Sequence, residues 1–375
     1  MTDLLYNDTE IALRDSVRAM LDKRLTAADI MALYDAPYPR PAQLGAALSD
    51  ELGVSALLVP ESAGGHGTRA REAAVVLEEL GRRVAPVPFL TSAVVATRCL
   101  TAVGDMAWLP RLAGGEATAA LCVPLVAYAS TWSATVRPER AGLVGEVRGV
   151  ADAATGVLIV PVRTDDAVHL HAVDPGADGV SVTPVLSLDM SRPLADVAFD
   201  GVQSRPIRSG VEAQRAVDDA LTAGAALLAS EQLGLAEWCL DTTVKHLRDR
   251  YQFGRPLGSF QALKHRLADL LVDITASRAV ARYAADCLAT NSDDTAVAAS
   301  LAQAYCATVA VRAAEECIQL LGGIGMTWEH PAHLYLKRAK ADQLAFGTPA
   351  LHRTRLAELV DVPAACCRSS GRLSP

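Results

Sequence analysis

The chain has 375 residues, 51% hydrophobic and 21% charged, with 35 basic against 43 acidic side chains and a net charge of −8. That length and apolar content suit two or three folded units around a large buried core and exclude a disordered chain. The acidic balance, with no basic run, excludes a broad nucleic-acid surface, which needs clustered cations to displace counterions.

From residue 1 to about 115 the pattern is helical. Ile11, Leu13, Val17 and Met20-Leu21 recur at three- and four-residue intervals, as do Val75 to Leu77 and Leu80. Prolines and glycines at Pro37, Pro39, Pro41, Pro60, Gly64-Gly65 and Pro86–Pro88 cut this zone into short helices. Its start carries Asp3, Asp8, Glu10 and Asp15 and lacks the cationic, then apolar, build of a signal peptide. The longest uncharged stretch, Ala117 to Val136, contains Pro124 and the polar run Ser130–Ser133, so it reads as a buried strand and loop rather than a membrane span.

Residues 116–207 change character. Val144, Val147, Val150, the Val157–Val162 run, Val168 to Leu170, Val180 to Val182 and Val197 to Phe199 are β-branched or alternating, and turns such as Asp174-Pro175-Gly176 break them. A middle antiparallel β domain is expected. Residues 208–375 return to long Ala- and Leu-rich helical segments, over about 212–250, from Gln261 through Leu288, 294–321 and 331–345, and predict a four-helix bundle. The fold class is therefore α+β, mostly α: helical, then β, then a bundle. The eight cysteines, including the pair Cys366-Cys367, show no C-x-x-C spacing, so buried thiols in a cytoplasmic protein are expected.

Two segments could carry chemistry. In Arg250-Tyr-Gln-Phe-Gly-Arg-Pro-Leu-Gly-Ser-Phe-Gln261 a helix is expected to end around Gln252, with Ser259 capping the next. A tight turn there would set backbone N–H groups beside Arg250 and Arg255, which suits a phosphate, although an ordinary helix connection fits the same residues. In Gln319-Leu-Leu-Gly-Gly-Ile-Gly-Met-Thr-Trp328-Glu-His-Pro, three glycines in four positions allow close approach of a ligand or another backbone, or simply end a helix. His330 and His333 flank Pro331 with no companion ligand set, so no metal site is expected. There is no nucleophile elbow, no P-loop and no G-x-G-x-x-G after a strand.

In this order and at these intervals the segments resemble the acyl-CoA dehydrogenase family over nearly the whole chain. Further matching segments are Leu52-Gly53, Val59-Pro60-Glu61 with Gly64-Gly65 and Gly67, Glu79-Leu80-Gly81-Arg82, Pro86-Val-Pro-Phe89, Asp189-Met-Ser-Arg192 and Gln261-Ala-Leu-Lys-His265. The resemblance implies FAD as cofactor and an acyl-CoA thioester as substrate. In such a reaction a carboxylate takes the α proton while the flavin accepts the β hydride. It also implies a flavin site built across a subunit interface, with Arg250, Gln252, Phe253, Gln261, Gln319, Gly322 and Gly323 gripping the dinucleotide.

The chain departs from the family pattern at the catalytic centre. The family glutamate in a Glu-Gly-Thr run is replaced by Phe346, and the alternative position on the first bundle helix is Gly224. Neither can accept a proton, so no catalytic residue is assigned. Asp218, Asp219 and Glu231 are nearby candidates for a substitute base. The Thr-Glu-Pro and Gly-Ser-Asp segments that hold the isoalloxazine are likewise missing, with Leu121-Cys-Val-Pro-Leu125 and Ser130-Thr-Trp132 in their place. The losses fall on one half of the site. The leading expectation is thus a subunit of an α2β2 acyl-CoA dehydrogenase, of the kind found in steroid-degrading actinobacteria, whose homologous partner carries the glutamate. A stand-alone flavoenzyme with a displaced base and a catalytically silent binding homologue are the alternatives.

Overall fold

The computed structural model describes residues 4–35, 42–129, 131–154 and 156–362; Ser130, Cys366, Cys367, Pro37, Pro39 and Pro41 lie outside them. Six helices open the chain: α1 (Asp8–Arg24), α2 (Ala27–Ala32), α3 (Ala42–Leu52), α4 (Ala70–Arg83), α5 (Thr97–Val103) and α6 (Leu109–Ala113). Asn7 and Thr26 start the first two as capping boxes. Each side chain accepts the N–H three residues on, from Glu10 or Asp29, whose carboxylate accepts the cap's own N–H in return. Before α5 the chain winds as a π-helix over Phe89–Ala96, buried at every residue. Such wide turns recur at functional sites, and this one supplies two walls of the pocket described below.

The middle zone holds β1 (Ala119–Leu121), β2 (Arg137–Glu139), β3 (Gly142–Ala151), β4 (Val157–Arg163), β5 (Val168–Val173), β6 (Val180–Val185), β7 (Leu194–Val202) and β8 (Arg205–Ser209). They form two four-stranded sheets, ordered β1-β4-β5-β8 and β2-β3-β7-β6. Ladder pairs within the sheets are antiparallel except β1 with β4, which run parallel with Ala119 opposite Val157. The exception is possible because β2 and β3, in the other sheet, intervene between those strands and supply the crossover that a parallel pair requires. Strand β4 is apolar without alternation. Val157 and Ile159 face the helical core, while Leu158, Val160 and Val162 face the core between the sheets. A strand covered on both faces has no polar side to show.

The last zone contains α7 (Val211–Asp249), the hairpin strands β9 (Tyr251–Gln252) and β10 (Arg255–Pro256), then α8 (Gln261–Thr290), α9 (Thr295–Leu321), α10 (Ala332–Leu344) and α11 (Pro349–Leu359). The four expected helices are α7 to α10, with α11 added. The 39-residue α7 is the central post. It meets α4 so closely that a Cβ on Gly81 would lie 2.1 Å from the Glu231 carbonyl oxygen, and one on Gly234 1.9 Å from that of Glu78. Only glycine fits at such a crossing. α9 is apolar enough by length and composition to cross a bilayer, but its most apolar window is 67% buried within the protein, as befits a bundle-core helix. All six cysteines among the described residues are free and buried.

Chain direction sets the working end of the bundle. Ion pairs join Arg266 to Glu316 and Arg312 to Asp273, so α8 and α9 run antiparallel. The end of α9 therefore lies beside the start of α8, which the short hairpin ties to the end of α7.

Candidate functional site

The seven residues that resemblance assigns to a dinucleotide gather at that end, all solvent-exposed. α7 stops at Asp249, earlier than the expected Gln252, because the chain turns into the β9–β10 hairpin. Arg255 pairs with Gln252 and the Leu257 N–H donates to the Arg250 carbonyl at 2.8 Å. Ser259 does not cap α8. Its hydroxyl donates to the Pro256 carbonyl at 2.7 Å, and Phe260 occupies the cap position without a side-chain bond. A short 3-10 turn over Leu257–Ser259 has displaced the expected cap.

The hairpin tip is unusual. Phe253 and Gly254 both have left-handed backbone, at φ 55° and 76°, as a tight two-residue hairpin turn requires. Glycine adopts this freely, whereas phenylalanine does so at a cost, and the Phe253 ring is 85% exposed. Its edge contacts Phe260 at 6.2 Å between ring centres, and Arg255 stacks its guanidinium over Phe260 at 3.9 Å. Across the same end, Gln319 lies on the last turn of α9, and a Cβ on Gly322 or Gly323 would meet no atom within 4 Å. The Arg250 guanidinium, three amide side chains and an open stretch of bare backbone suit a flat anionic dinucleotide.

The interior is different. Phe346 is buried with φ 53°, and its N–H donates to the Leu125 carbonyl at 2.8 Å. Its ring lies on Gly224, where an added Cβ would approach Phe346 to 2.9 Å and Val95 to 3.0 Å. The two positions at which a family base could stand thus face each other, and an aromatic ring occupies the space between them. What remains is a cavity of about 20 Å³ walled by Thr91, Val95, Leu121, Val123, Pro124, Leu125, Ala151, Leu221 and Phe346. That holds about one water. An isoalloxazine ring does not fit.

The substitute carboxylates are committed elsewhere. Asp219 pairs with Arg98 at 2.7 Å, and Asp218 accepts from the Trp132 indole at 2.8 Å and from Gln214 at 3.2 Å. Trp132 is therefore turned onto α7. Glu231 takes both oxygens to one Arg192 nitrogen at 2.7 Å and one to Arg338 at 2.5 Å. It belongs to a buried network that the residue pattern alone did not reveal. Arg338 also binds Asp189 and, at 2.7 Å, the Ser191 hydroxyl, while Arg192 reaches Asp342 at 2.5 Å. Burial raises the Asp189 carboxyl, but Arg338, Ser191 and Arg192 outweigh it and hold it below the ordinary range. Asp342 goes the other way. Burial, with Glu231 nearby, pushes it up to about 7. Three carboxylates face two guanidiniums, and a proton on Asp342 would balance them.

Comparison with known proteins bears on the whole chain. Residues 7–116 match the model of the acyl-CoA dehydrogenase N-terminal domain, and residues 214–360 that of the C-terminal domain. The acyl-CoA dehydrogenase IpdE2 of Mycolicibacterium smegmatis is 34% identical over 92% of this chain and 96% of its own. The chain belongs to the acyl-CoA dehydrogenase family. Among solved structures, the ChsE4–ChsE5 complex of Mycobacterium tuberculosis is similar at 26% identity, with a TM-score of 0.85 over 97% of this chain and 100% of the matched one. A variant of the Tcur3481–Tcur3483 steroid acyl-CoA dehydrogenase is similar at 27% identity, with a TM-score of 0.82 over 94% and 98%. Acyl-CoA dehydrogenases are FAD-dependent oxidoreductases. In this member the interior pocket beside Phe346 is too small for that cofactor's ring system.

Proposed function

We propose that this chain is the non-basic subunit of a heteromeric acyl-CoA dehydrogenase, completing a flavin site whose glutamate belongs to a homologous partner in an α2β2 assembly. The observation that carries this is the ring of Phe346 lying on Gly224: the place of the proton acceptor is filled with hydrocarbon. Solved relatives that are complexes of two differently named chains support a partner of the same family. A steroid-derived CoA ester is the proposed substrate class, in keeping with the steroid acyl-CoA dehydrogenase among those relatives.

The division of labour follows from chemistry. Bound FAD would supply the hydride acceptor. Arg250 would neutralise pyrophosphate charge, Gln261 and Gln319 would donate amide hydrogens to it, and Phe253 would cover an apolar face. Gln252 lies in the hairpin strand that sets their spacing, and Gly322 and Gly323 leave room for the dinucleotide to lie against the backbone. Proton abstraction is left to the partner.

Expression of this chain alone and with a homologous partner, followed by measurement of flavin per chain, tests the assignment. Colourless protein alone and flavin-bearing, active protein in the pair are expected. Full flavin occupancy and thioester oxidation by the isolated chain would overturn it. A second reading rests on Asp152, a buried carboxylate whose Oδ2 accepts from the Thr91 hydroxyl at 2.5 Å beside the narrow pocket. In a stand-alone enzyme Asp152 would be the base. Asp152→Asn would then abolish turnover by the isolated chain, whereas the two-chain assignment expects no such turnover to lose.

A further inference from the structure

A second cavity, about 230 Å³, opens between the end of α9 and α10, walled by Ile318, Gly325, Met326, Trp328, His333 and Leu336, with Thr327 and Lys337 at its rim. It is larger than the roughly 150 Å³ apolar cavity that accepts benzene. Trp328 is 62% and Met326 80% exposed at its mouth, an arrangement that a folded chain has no internal reason to keep.

Its polar groups are few. The Lys337 ammonium sits 3.8 Å from the centre of the Tyr34 ring and 4.1 Å from that of Trp328, and among the described residues no carboxylate forms an ion pair with it. Aromatic faces stabilise a cation but leave its charge unneutralised. His333 stands against Trp328 at 4.5 Å between ring centres; its buried nitrogens make no well-formed hydrogen bond among the described residues, with the Trp328 backbone as a weak partner. A carboxylate would give that ring a stronger acceptor.

We propose that this cavity binds a small apolar monocarboxylate, with its hydrocarbon body on Ile318, Met326 and Leu336 and its carboxylate between Lys337 and His333. One cation beside a histidine whose charge is disfavoured by burial matches one negative charge; a phosphate dianion would leave its second charge uncompensated. The site shares no residue with the dinucleotide grip, but its walls Ile318 and Gly325 adjoin Gln319 and Gly323 at the end of α9. Through Tyr34 and α10 it touches both the N-terminal helices and the helix that leads into Phe346, so occupancy would brace one against the other.

Sodium benzoate is the probe, titrated into the full chain with saturation-transfer NMR and tryptophan fluorescence as readouts, and cyclohexylamine as a cation of similar size. Saturable benzoate binding with a fluorescence change, and none for cyclohexylamine, is expected. Lys337→Met should weaken benzoate about tenfold or more, a loss of about 1.4 kcal/mol. Trp328→Phe should remove the fluorescence change while NMR still reports binding. Equal benzoate affinity in the wild-type and Lys337→Met chains, equal binding of cyclohexylamine, or no saturable benzoate binding would each overturn the site.

Discussion

The pocket behind Phe346 and the open end of the bundle share helix α7, yet one is filled with hydrocarbon and the other is bare. In the pocket, hydrocarbon stands at both family base positions, and packing leaves only about 20 Å³ between the walls. At the open end an arginine, three glutamines, a strained phenylalanine and two glycines remain exposed. Core packing can hold a pocket closed to chemistry, whereas the exposed end keeps the groups through which the proposed shared dinucleotide would be held.

The comparison can be broken from either side. The largest expected effect tests whether Glu231 is structural: Arg338→Ala strands buried carboxylates and should cost about 3–5 kcal/mol in denaturant unfolding. A mild loss would free Glu231 to be reconsidered as a base. Arg250→Ala in the assembled pair should remove a charge-assisted contact of about 1.5–3 kcal/mol, read as roughly ten- to hundredfold weaker flavin retention with unfolding unchanged. Unaltered retention would place the dinucleotide elsewhere.

Gly224→Ala should overpack the pocket by about 1–3 kcal/mol, and Phe346→Leu should relieve part of that in the double variant. Additive losses in thermal melts would show that the two positions do not press on each other. The last effect concerns Asp342. Its carboxyl holds its proton more tightly folded than unfolded, so between the unfolded value near 4 and the folded value of about 7 its contribution to stability falls as pH rises, by about 1.4 kcal/mol per pH unit at most. Asp342→Asn should therefore gain on the wild type at pH 8 relative to pH 5. A pH-independent difference would remove Asp342 as the proton carrier.

Much of this could be read along the chain. Hydrophobic periods of 3.6 and 2 separated the three zones, and the turns around Arg250 and after Gln319 stood out through glycine and proline alone. Boundaries were less secure at the hairpin, because Tyr251 to Pro256 can either prolong a helix or pair as strands, and Phe253 gives no sign of its left-handed backbone. The parallel β1–β4 pair was hidden for a similar reason: three residues in a strand do not state their direction.

By itself the sequence determined the order of elements, the missing carboxylates at Phe346 and Gly224, and the identity of the groups available to hold an anion, since these depend on local propensity and side-chain chemistry. Tertiary structure alone decided that Phe346 lies on Gly224, that Asp218, Asp219 and Glu231 are already bonded, and that two motifs about 60 residues apart meet at one end of the bundle. Those outcomes depend on which surfaces come into contact when helices of opposite direction pack, and a linear pattern does not record that.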